Sequence, residues 1–125
     1  MPSPEAFYPG RVAISAYGSD GFRFADMQHD GGLLILDDGI HRWGARTMGE
    51  LVLDDFAEIF ARAKPGAFLL LGTGKQIARP SALLRNAFDK AGIAIDFMDT
   101  GAAVRTWNVL IAEDRTAFCA LLPHA

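Results

Sequence analysis

The chain has 125 residues, 50% hydrophobic and 22% charged, with nine Phe and two Trp, which is enough apolar material for one core without metals or disulfides. That excludes both disorder and a second domain. Twelve Lys plus Arg against fifteen Asp plus Glu leave a formal charge of -3, so no global positive field draws the protein to nucleic acid or to anionic lipid.

Residues 1–10 carry Pro2, Pro4 and Pro9 and lack the cationic start and apolar run of a secretory signal. They predict an arm without regular structure, followed by a single domain over residues 11–122. From Arg11 to Tyr17, Val12, Ile14 and Ala16 alternate with Arg11, Ala13 and Ser15; the turn Gly18-Ser19-Asp20-Gly21 then leads to Phe22-Arg23-Phe24, a hairpin signal. A second hairpin is predicted where Leu33-Leu34-Ile35-Leu36 meets Ile40-His41-Arg42-Trp43 across Asp37-Asp38-Gly39. The period then changes. Phe56, Ile59, Phe60 and Ala63 fall on one helical face, opened by Asp54 and Asp55 and stopped by Pro65-Gly66. The unbroken run Ala67-Phe68-Leu69-Leu70-Leu71 predicts a strand buried on both faces. A second helix carries Leu83, Leu84, Ala87, Phe88 and Ala91 between Pro80-Ser81 and Gly92. Residues 93–98 predict a strand, Ala102 to Ile111 a third helix, and residues 116–122 a last strand. No apolar run approaches the roughly 20 residues of a membrane-spanning helix. The order implies an α/β fold: one domain of three layers, with a central mixed β-sheet, helices packed on it and a smaller β-hairpin element.

Four segments in series carry a family resemblance: residues 18–24 (GSDGFRF), 33–39 (LLILDDG), 70–75 (LLGTGK), and 98–110, with MDTGAA followed by RTWNVL. Together they resemble the DUF498-type family of uncharacterised function, which includes the mitochondrial complex I assembly factor 3 and the adipogenesis-associated domain protein. The resemblance covers about residues 11–122. It implies a mixed sheet with helices on one side and a smaller β element on the other. It also implies no established enzymatic activity, and an assembly role in the mitochondrial members. Residues 1–10 show none of the Arg-rich, acid-poor character of a transit peptide, so the expectation is a bacterial relative in the cytoplasm.

Two turns, Gly72-Thr73-Gly74-Lys75 and Asp99-Thr100-Gly101, each follow a strand and precede a helix. Neighbouring parallel strands would bring both to the carboxyl edge of the sheet, where α/β proteins bind ligands. Unpaired amides at Gly101, with Lys75, Arg79, Arg105 and Asn108 nearby, would suit a small anionic ligand. The structural alternative is that the glycines only turn the chain, Thr100 caps a helix and Arg105 pairs with Asp99. The P-loop spacing is absent, as is a dinucleotide fingerprint, and no cofactor is expected. His29, His41 and His124 lack metal-ligand spacing and read as surface or hydrogen-bonded histidines. Cys119 lies among Phe118, Ala120 and Leu121 and reads as core, and Asp37-Asp38 as a turn rather than a carboxylate dyad. No catalytic residue is identified. Phe7, Tyr8 and Trp43 are expected to be exposed and to mark a protein interface. The leading functional expectation is a non-enzymatic interaction or assembly domain with protein partners; the alternative is a binder of, or weak enzyme on, a small anionic ligand held between the two turns.

Overall fold

The apolar runs at residues 33–36 and 69–71 follow from a sheet covered on both faces, where neighbouring residues bury in opposite directions. Residues 6–124 are described in the structure, a computed structural model. In chain order the strands are β1 (Ala6–Tyr8), β2 (Ala16–Tyr17), β3 (Gly21–Phe24), β4 (Met27–Asp30), β5 (Gly32–Leu36), β6 (Gly39–Trp43), β7 (Phe68–Gly72), β8 (Ala94–Met98) and β9 (Phe118–Leu121). The helices are α1 (Ala57–Arg62), α2 (Ala82–Lys90) and α3 (Thr100–Ala112), with a 3-10 turn at Leu53–Phe56 leading into α1. The six-stranded sheet runs β1-β6-β5-β9-β7-β8, and β2-β3-β4 form a separate antiparallel sheet. β7 is parallel to both β8 and β9, whereas β5 is antiparallel to β6 and β9, so the large sheet is mixed as expected.

Two cores flank that sheet. On one face Leu34, Leu36, Leu69 and Leu71 pack with Phe56 and Ile59 from the first helical region and Leu84 and Phe88 of α2. On the other, Leu33, Ile35, Leu70 and Leu121 pack with Phe22 and Phe24 of the small sheet and with Ala103, Val104 and Trp107 of α3. The helices therefore do not lie on one side, because α3 shares its face with the small sheet. The topology explains this. From β7 the chain steps outward to β8 through α2, then back past β7 to β9 through α3. Two crossovers of one hand that step in opposite directions put their helices on opposite faces.

Four further expectations change. Ala6–Tyr8 is not part of an arm but an edge strand paired with β6, and Tyr8 meets Phe24 with ring centroids 6.1 Å apart; residues 1–5 and the Phe7 side chain lie outside the described residues. Trp43 is buried rather than exposed, packed 5.5 Å from Phe56 between ring centroids, and its Nε1 donates to the Asp55 carbonyl. Met27–Asp30 adds a strand beside β3 that the residue pattern did not predict. Residues 11–15 bury Ile14 but form no strand, because side chains of α3 take over their backbone groups. Trp107 Nε1 donates to the Val12 carbonyl at 2.9 Å, while the Asn108 amide accepts from Ile14 N at 2.8 Å and donates to Ile14 O at 2.9 Å. One primary amide thus replaces a neighbouring strand's donor and acceptor. Arg11 extends the strap by stacking over the Trp107 ring and donating to the Ala117 carbonyl.

The β5–β6 turn is tied to α1. Arg62 reaches Asp37 and Asp38 at 2.8 Å each and Glu58 at 3.4 Å, and the fully buried His41 donates from Nε2 to Asp38 Oδ1 at 2.7 Å. The His41 hydrogen bond, with help from the Arg62 charge, holds the Asp38 carboxyl below its ordinary 3.8. A depressed folded-state value gives stability that is present above pH 3.8 and is lost as pH falls through the folded value. Asp38→Asn is therefore expected to lower stability near neutral pH and to flatten the acid limb of unfolding free energy below about pH 4, measured by denaturant titration. Parallel acid limbs in the two proteins would contradict this.

Candidate functional site

β7 and β8 pair in parallel with Gly72 opposite Met98, so the two glycine turns do meet at the carboxyl edge of the sheet. They meet by direct bonding. Thr73 N donates to Met98 O at 2.8 Å and Thr100 N to Gly74 O at 2.8 Å. Thr100 is fully buried, and its hydroxyl accepts from Gly74 N at 2.8 Å and donates to Leu122 O at 2.7 Å. One side chain thus joins the end of β7, the start of α3 and the segment leaving β9. Leu122 N closes the ring by donating to Gly72 O at 3.0 Å.

The glycines fit that closure. A methyl group at Gly72 would lie 2.9 Å from Leu121 Cδ2 and 3.0 Å from Thr100 Oγ1, so only a residue without Cβ lets α3 sit this close. Gly74 has φ +104°, which favours glycine, and its carbonyl and amide both face Thr100. The Thr73 hydroxyl is used within its own turn, donating to Gln76 O at 2.7 Å and accepting from Ala78 N at 3.2 Å.

At the start of α3 the cap is Asp99, not Thr100, since Asp99 Oδ2 accepts from Ala102 N at 3.3 Å. The Tyr17 hydroxyl lies over Gly101, 2.6 Å from where a Cβ would stand, and the Tyr17 ring packs 5.2 Å from that of His124. These two residues carried no local signal, because they reach the edge from opposite ends of the chain. Lys75, Arg79 and Arg105 are exposed, and among the described residues none forms an ion pair; Arg105 is not paired with Asp99. Asn108 is held by Ile14 on the strap. The edge therefore brings together Gly72, Thr73, Gly74, Asp99, Thr100 and Gly101, and leaves three cations pointing to solvent around them.

The remaining chemistry-bearing groups are used in packing. Cys119 is fully buried at the junction of β5, β7 and β9, and desolvation pushes its thiol well above the ordinary range. His29 is buried with Nε2 at 2.9 Å from the Gly32 carbonyl, so both strand histidines are hydrogen-bonded as expected. The described residues contain no group of three or more His, Cys, Asp or Glu placed to hold a metal.

A family profile described as "Protein of unknown function (DUF498/DUF598)" matches residues 14–122. An uncharacterized protein of Rhodobacter capsulatus is 34% identical over 123 residues, covering 98% of this chain and 94% of its own length. The NADH dehydrogenase (ubiquinone) 1 alpha subcomplex assembly factor 3 of Mus musculus is 26% identical over 116 residues, which are 93% of this chain and 63% of that protein. The chain thus spans less than two thirds of the length of that assembly factor. The crystal structure of an outer membrane protein from Bartonella henselae matches with a TM-score of 0.85 at 39% identity, covering 93% of this chain and 98% of that one.

The Thr100 closure generates a stability test. Thr100→Val keeps the shape but leaves Gly74 N–H and Leu122 C=O buried without that partner, and is expected to cost about 2–4 kcal/mol, whereas Thr100→Ser should stay within about 1.5 kcal/mol of wild type. Equilibrium unfolding measures both. Equal stability of the Val and Ser variants would contradict the role given to the hydroxyl.

Proposed function

This chain belongs to the DUF498/DUF598 family of proteins of unknown function, and from that premise we propose that it works as a non-enzymatic protein-interaction domain of the assembly type. The observation that carries the reading is the match along 93% of the chain to a protein named as an assembly factor. The match takes in 63% of that protein's own length, so the identity of this chain's partner is left to experiment. The bonded carboxyl edge supports the same reading, because its backbone groups are engaged with one another. The proposal includes a cytoplasmic, bacterial setting; among the described residues no helix is long and apolar enough to cross a membrane.

A second reading rests on Lys75, Arg79 and Arg105, three exposed cations outside any ion pair around the bonded edge. It takes them as the outer walls of a site for a small anionic ligand, with Gly72, Thr73, Gly74, Asp99, Thr100 and Gly101 as its frame; Asn108, whose amide is engaged by Ile14, is not part of it.

Two experiments separate the readings. A tagged chain at native abundance is expected to retain a defined set of proteins under quantitative mass spectrometry; retention of nothing above background would count against the interaction reading. For the second, a phosphate or carboxylate at 100 times its Kd should stabilise the chain by about 2.7 kcal/mol in a thermal shift, and Lys75→Ala or Arg105→Ala should remove that gain. Shifts unchanged in both variants would contradict it.

A further inference from the structure

The carboxyl edge is closed, but one side of the large sheet is open. β8 is the last strand in the sheet order, paired with β7 on one side and packed by α2 and α3 on its faces. Ala94 N donates to Ala67 O, and Met98 O accepts from Thr73 N, so residues 94, 96 and 98 turn their backbone groups toward β7. The alternation of a strand then turns the N–H and C=O of Ile95 and Phe97 outward. The side chains of the same two residues pack against the α2-side core. There they line a 280 Å³ groove with Phe88 and Ile93, rimmed by Arg85 and Asp89. Free backbone groups and an apolar groove therefore coincide on one three-residue stretch, the combination that strand addition requires.

We propose that this edge takes an extended segment of a partner protein as a seventh strand, with apolar side chains opposite Ile95 and Phe97 and a basic side chain opposite Asp96. The inference rests on the interaction-domain reading and names the surface and the partner's chemistry. Charge decides the occupant. Asp96 is exposed on the α3 side of the strand, Asp89 stands at the groove, and among the described residues neither forms an ion pair. The one cation at the rim, Arg85, donates from Nε to the Pro80 carbonyl at 3.1 Å. That bond leaves the Arg85 charge in place, but the two carboxylates Asp89 and Asp96 outnumber it, so the edge complements a cationic strand. A second copy fits it poorly, since antiparallel pairing of all five β8 residues about a two-fold axis would set Asp96 against itself, and like charges directly opposite are destabilising. The same carboxylate that discourages self-pairing selects the partner.

Seven-residue peptides alternating Val, Ile or Phe with Lys, and matched peptides with Glu in place of Lys, serve as probes against the ¹⁵N-labelled full chain. The expected result is that Lys peptides shift the Ile95 and Phe97 amides and slow their exchange, bind about tenfold more tightly than the Glu peptides, and lose that preference to the Glu peptides in Asp96→Lys. Asp96 is exposed, so this variant keeps the fold, checked by its unperturbed spectrum elsewhere. The proposal is overturned if no peptide binds at this edge, if Lys and Glu peptides bind alike, or if the Ile95 and Phe97 amides become protected with protein concentration alone. A cellular partner retained equally by wild type and Asp96→Lys also overturns this surface while leaving the interaction reading intact.

Discussion

The buried hydroxyl of Thr100 is the constraint around which the second half of the chain is arranged. It receives one hydrogen bond from the turn after β7 and gives one to the segment after β9, from the first residue of α3. Because α3 is the crossover that carries the chain from β8 to β9, this single group locks both parallel connections at their common end. Gly72 is a consequence, since the helix start can approach β7 only where no Cβ intervenes. Being fully buried, the hydroxyl works in a low-dielectric setting where an unmet backbone group is costly, which makes the closure strong in both directions.

From that anchored start, α3 organises the opposite face as well. Trp107 fills the core under the small sheet while its indole N–H fixes Val12, and Asn108 on the next position holds Ile14. The helix therefore replaces part of a sheet, presenting side-chain donors and acceptors to a strap that would otherwise need a strand beside it. The outcome for function is a division of the molecule. Polar backbone at the carboxyl edge is spent on internal bonds, and polar backbone at the β8 edge is left facing outward beside an apolar groove.

Much of this was readable from residues alone, for definite reasons. The elements carried by residues 33–36, 69–71, 84–88 and 103–107 bury continuous runs or helical stripes, and those patterns depend only on local order. The two glycine turns were legible as neighbours because each follows an apolar strand and precedes a helix. What was not legible depends on pairs far apart. Ala6–Tyr8 becomes a strand only because β6 lies beside it, and the prolines around it argued otherwise. Val12 and Ile14 alternate as a strand would, yet their backbone is satisfied by a helix more than 90 positions away, as the 94-residue separation of Ile14 and Asn108 records. The burial of Trp43 has no local signal, because nothing in its neighbourhood announces Phe56 or the Asp55 carbonyl. Neither a ligand contact nor a helix cap, the two roles local order offers Thr100, describes its hydroxyl, because its acceptor, Leu122, is 22 residues on. Asp96 is locally a lone acid in an apolar strand; its meaning comes from β8 being an edge.

Native-state hydrogen exchange of the intact chain tests the central claim, that one edge is closed by Thr100 and the other is open. The account predicts that the Gly74 amide exchanges only through global unfolding, while the Ile95 and Phe97 amides exchange as readily as exposed loop positions. A Gly74 amide that exchanges by local opening, together with protected Ile95 and Phe97 amides, would contradict it.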